Sequence, residues 1–132
     1  MNNYTKELIE HCSDFSKELL NETKDFYPFA AFVSKTGQIH PLELEPEDKN
    51  NTKNGQVIES LLKYLTSEVE KGEILAYATV FEVQFKLDDN SPKTDAFAVD
   101  VVNLESEEPI FYFPYTRKND EFSFKEPFAV KR

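Results

Sequence analysis

Two histidines and one cysteine are the only imidazole and thiol groups in this 132-residue chain. A metal site or a nucleophilic centre would have to be built around them. Neither His11 nor His40 has a second His or Cys at a ligand spacing such as H-x-x-x-H. His11 adjoins Cys12, but neighbouring residues on a helix point about 100° apart and do not face one site. Cys12 sits between Leu8 and Phe15 on an apolar stripe, where a thiol is packed and inert rather than activated. "DDNSPKTD" (88–95) is acidic, yet it lacks the glycine and terminal glutamate of a calcium loop. No G-x-S-x-G turn presents a serine. The three glycines, Gly37, Gly55 and Gly72, stand singly, so neither a P-loop nor a G-x-G-x-x-G turn can be assembled. These absences predict no metal, no nucleotide cofactor and no enzyme of those classes.

Carboxylates are the remaining chemistry. Asp100 is the one acid inside the apolar run "AFAVDVV", and Glu82 would lie near it if the two strands formed a hairpin. Two such groups can divide acid and base work between them, as in hydrolysis, which makes a hydrolase the weakest of three functional readings. Larger acidic clusters point elsewhere. Glu45, Glu47 and Asp48 crowd one loop with Glu43 beside it, and Glu105, Glu107 and Glu108 crowd a turn. Such patches suit a basic protein partner.

The overall balance agrees. The chain carries 25 acids against 15 bases, for a net charge of −10. Only Arg117 and Arg132 among those bases offer the bidentate fork that phosphates favour. With no basic stripe, nucleic acid and anionic membranes are not expected ligands. Apolar residues at 39% and aromatics at 14% are enough for one domain, residues 1–132, with its own core. No apolar run reaches the roughly 20 residues of a membrane span. A lone cysteine and the lack of a secretory pattern at "MNNYTKELIE" predict a cytoplasmic protein.

The elements that must position these groups follow from periodicity. Tyr4, Leu8, Cys12, Phe15, Leu19, Thr23 and Phe26 recur at steps of three and four, predicting a helix over 4–26 that Pro28 stops. Its other side carries Glu7, Glu10, Asp14, Glu18 and Glu22. "FAAFVSKTGQIHPLEL" (29–44) predicts a hairpin turning at Gly37, with Pro41 marking an edge or short strand. After an apolar-free loop, Val57, Ile58, Leu61, Leu62, Leu65 and Val69 predict a second helix, with Asn54 as its N-cap and Gly72 at its end. From Ile74 the period drops to two. Strands are expected over 74–87, around 97–101, at "IFYFPYT" (110–116), and from Phe122 until Pro127 ends the last.

This order predicts an α+β fold: helix, hairpin, helix, then an antiparallel meander, giving a five- to six-stranded sheet packed by two helices. In element order it resembles the roadblock and profilin-like sheets. In "IFYFPY", Phe111, Phe113 and Tyr115 fall on one face and Ile110, Tyr112 and Pro114 on the other. Both faces therefore want covering, and Pro114 implies a position at a sheet edge or strand end.

The leading expectation is a non-catalytic acidic interaction domain. By charge and size it is similar to small immunity or antitoxin-type inhibitors of basic bacterial toxins, and its abundant Lys and Asn suit an AT-rich genome. Tyr112 and Tyr115 are the expected anchors, with Glu105, Glu107, Glu108, Glu45, Glu47 and Asp48 as rim charge and a homodimer as one form of cover. A ligand-binding or regulatory domain, with a pocket lined by Tyr77, Phe97 and Tyr112, is the alternative.

Overall fold

The stripe beginning at Tyr4 winds into α1, Asn3–Thr23, in a computed structural model that describes residues 3–43, 54–86 and 88–131. Leu8, Cys12, Leu19 and Leu20 are buried along it. The helix stops before Pro28 can act. Lys24 turns left-handed at φ 61°, its N–H donates to the Leu20 carbonyl at 2.9 Å, and the Thr23 hydroxyl accepts from the Asp25 N–H at 3.2 Å. A left-handed residue after the last turn closes the open carbonyls, so the proline four residues on is not needed.

The hairpin forms as β1, Phe29–Ser34, and β2, Ile39–Leu42, with Gly37 at φ 86° in its turn. Pro41 lies in β2, the outermost strand on that side. Helix α2, Asn54–Glu70, follows and ends before Gly72 at φ 76°. The Asn54 side chain and the acids Glu45, Glu47 and Asp48 lie outside the described residues.

Five further strands follow: β3 (Ile74–Phe85), β4 (Thr94–Asn103), β5 (Ile110–Lys118), β6 (Glu121–Phe124) and β7 (Phe128–Val130). The sheet is antiparallel with order β2-β1-β3-β4-β5-β6, and β7 also pairs with β5. A two-residue turn joins β5 to β6 through Asn119 at φ 53° and Asp120 at φ 67°, the doubly left-handed geometry that twisted hairpins favour.

The seventh strand is one more than the periodicity suggests. Pro127 interrupts the outer strand without ending it, and β6 and β7 are two pieces laid along one side of β5. Pro114 explains where the break falls. Its carbonyl accepts from the Lys125 N–H at 2.9 Å, and a strand residue's carbonyl and nitrogen face the same side. The donor that proline lacks is thus missing toward the outer strand, which breaks over residues 125–127. Pro114 therefore sits neither on an edge strand nor at a strand end; β5 runs between β4 and the β6/β7 line.

Helix α1 lies on one face of this sheet and α2 on the other. Ala31, Val33, Ala76, Ala78, Val80, Phe97, Val99, Val101, Phe113 and Tyr115 form a single core with α1. Val57, Leu61 and Leu65 of α2 pack with Ala30, Ile74 and Tyr77 in a second, smaller one.

Candidate functional site

Strand register decides which carboxylates can meet. Asp100 stands opposite Thr79, whereas Glu82 stands opposite Phe97, three positions further along β3. An odd offset puts side chains on opposite faces. Asp100 belongs to the face that α2 covers, and Glu82 to the face that α1 covers. The two do not share a site, so this pair cannot divide acid and base work between them.

Glu82 is used otherwise. Its Oε2 accepts from the Tyr115 hydroxyl at 2.6 Å, beside Gln84 Nε2 donating to Asp95 Oδ1 at 2.8 Å. Tyr115 is 4% exposed. Burial first, then the hydrogen bond to Glu82 and the nearby carboxylates, push its phenol well above the ordinary tyrosine value. Such a group stays protonated and holds β5 to β3 across the interior face.

Tyr115 is therefore core, ringed by Phe97, Phe122 and Phe124 at centroid distances of 6.5, 5.7 and 6.2 Å. Tyr112 points the other way. It is half-buried and stacks on Phe128 at 5.5 Å. The two tyrosines expected to anchor one contact thus lie on opposite faces. The aromatic pocket fares similarly: Tyr77 belongs to the α2-side core and Phe97 to the α1-side core. A cleft of about 730 Å³ does open at the end of β4, lined by Val101, Val102, Asn103, Pro109, Ala129 and Lys131 among others, with no aromatic residue in its lining.

The "ESEEP" turn divides. Glu105 and Glu107 are exposed, but Glu108 is only 8% exposed. Its Oε1 accepts from the Thr5 hydroxyl at 3.0 Å and from the Ser106 hydroxyl at 2.8 Å. Asn103 Nδ2 donates to Thr5 Oγ1 at 2.9 Å, and Asn103 Oδ1 accepts from the Glu105 N–H at 3.0 Å. Thr5, fully buried, is thus the post to which the turn is tied. Glu108 is an internal polar brace, and a buried carboxylate is retained only when so supplied.

That brace has a consequence for charge. It ties the turn to Thr5, which at 100° per residue lies about 160° around α1 from Glu7, while the outward face of the helix carries Glu7, Glu10, Asp14, Glu18 and Glu22, all exposed. At 100° per residue these five fall within one stripe about 120° wide, running roughly 22 Å. The helical spacing already exposes this stripe in the sequence.

Cys12 is fully buried, and burial pushes its thiol up to about 12. A thiol so placed makes little nucleophile near neutral pH. His40 is exposed and stacks on Phe32 at 5.3 Å. His11 Nε2 is buried without a hydrogen-bond partner among the described residues. Among those residues no three His, Cys, Asp or Glu side chains converge as a metal site would need, and no helix is long and apolar enough to cross a membrane. Comparison with family models, curated proteins and solved structures finds no match to this chain.

Proposed function

We propose that this is a non-catalytic, acidic protein-interaction domain that binds a basic protein, in the manner of an immunity or antitoxin-type inhibitor in the bacterial cytoplasm. The observation that carries the reading is the exposed acidic stripe on the outer side of α1, from Glu7 to Glu22. Charge concentrated on one surface raises the capture rate of an oppositely charged partner and disfavours like-charged ones. The net charge of −10 acts in the same direction at longer range. The separation of Asp100 from Glu82 and the burial of Cys12 leave the candidate nucleophile and acid–base pair without a shared site.

The test neutralises the stripe. Wild-type chain immobilised in native lysate at low salt should retain basic proteins that moderate salt releases. A variant with Glu7, Glu10, Glu18 and Glu22 changed to Gln and Asp14 to Asn should lose them. With a purified partner, the same variant should associate more slowly and show a flatter salt dependence. An unchanged set of retained proteins would overturn the reading.

A further inference from the structure

The sheet face under α2 is only half covered. Helix α2 packs on β1 and β3, and among the described residues no helix covers the strip of β3, β4, β5 and β7 beyond it. Its surface carries the partly exposed Phe81, Val83, Phe85, Ile110 and Tyr112 and the exposed Phe128 and Val130, with the small Ala96 and Ala98 fully buried between them. Phe128 is 39% and Val130 45% exposed. Phe85 meets Phe128 edge-on at 5.6 Å, and these rings border a groove of about 340 Å³.

The strip has almost no charge, in a chain where 30% of residues are charged. Within 79–85 of β3, 94–102 of β4, 110–114 of β5 and β7, Asp100 is the only acid or base placed on this face. A basic partner would find nothing complementary there. An apolar, nearly uncharged patch is the composition of an interface between identical chains.

We propose that a second copy of this chain docks on the strip, face to face about a two-fold axis. Because α2 stands as a ridge beside the strip, the copies pack with their strips superposed and each α2 flanking the other's β7. Four strands at about 4.8 Å and six residues at about 3.3 Å give a flat footprint of roughly 400 Å² per copy. That lies below the roughly 800 Å² per partner of a standard stable interface, so the dimer is reversible and its population depends on concentration. Electrostatics permit it. Each α1 lies on the far side of its own sheet, so the two helices are about 30 Å apart with sheets about 10 Å apart, well beyond a screening length of about 8–10 Å. The dimer thus turns two acidic surfaces outward. This proposal stands apart from the choice of basic partner, because it concerns the opposite face of the sheet.

Sedimentation equilibrium from micromolar to near-millimolar chain tests it. The wild type should rise from 15.3 kDa toward twice that mass. Val130→Lys and Val83→Lys, each at a partly or fully exposed position, should hold the monomer mass throughout, while Glu107→Lys, outside the strip, should behave as wild type. Urea midpoints confirm that each variant is folded. A wild type that stays monomeric at every concentration overturns the proposal, as does a dimer that neither folded strip variant weakens.

Discussion

On the α1 side of the sheet, one core runs from Ala31 and Val33 through Ala78 and Val99 to Phe113 and Tyr115, with Phe122 and Phe124 packed at its margin. On the α2 side, the core stops at Tyr77 and the partly buried Val102, and the strands beyond carry half-exposed aromatics. The same alternating strands supply both faces. The helices make the difference: α1 reaches β1, β3, β4 and β6, whereas α2 reaches β1 and β3. A 21-residue helix and a 17-residue helix differ little in length, so it is placement rather than size that leaves one face incomplete. The closed face carries the larger core, and the other keeps its aromatics half-exposed.

This contrast is most easily broken at its strongest point. Phe97 is fully buried, stacked on Phe113 at 4.9 Å and on Phe26 at 5.9 Å. Phe97→Ala should cost about 3–5 kcal/mol in urea unfolding. A loss near 1 kcal/mol would mean the α1-side core is not the stabilising one. Leu61 of α2, 1% exposed, belongs to the smaller core, and Leu61→Ala should cost about 2–5 kcal/mol. Its place within that range measures how much the half-covered face contributes.

Thr5→Val removes the hydroxyl that joins Asn103 to Glu108 while keeping the side chain's shape. Thermal melts should register a loss of about 1–3 kcal/mol, since a buried carboxylate and amide lose a shared partner. Proteolysis should then cut first in the freed 104–109 turn. An intact turn would show that the brace is dispensable.

Alkali probes the closed face without mutation. The Cys12 thiol is raised in the folded state from an ordinary 9.0 to about 12. Unfolded chains therefore lose this proton first, so the stability it contributes is complete below pH 9 and is lost as pH climbs toward 12. At pH 10 the loss should be on the order of 1 kcal/mol, and Cys12→Ala should flatten that slope. The raised Tyr115 phenol acts in the same direction at still higher pH. Alkylation gives a second reading, since Cys12 should label only after denaturation. Smallest of all, Phe128→Ser on the open strip should change monomer stability by about 0.5 kcal/mol or less. A large loss would assign Phe128 to the core and close the strip.

The sequence by itself determined what depends on neighbours a few residues apart. Steps of three and four placed α1 and α2, steps of two placed the strands, and Gly37 and Gly72 marked where the backbone must turn left-handed. It also exposed the acidic side of α1, because helical spacing alone sorts Glu7 through Glu22 from Leu8 through Leu20. The tertiary structure decided what depends on residues far apart in the chain. Register put Asp100 and Glu82 on opposite faces, a matter of how β3 and β4 align that no local pattern records. Glu108 reads as one more surface acid until Thr5, 103 positions away, is brought against it. Pro114 reads as an edge marker until the outer strand is seen to break beside it. The open strip belongs to the same class: alternation makes both faces of "IFYFPY" apolar, but only the lateral position of a helix on the sheet settles which face it covers.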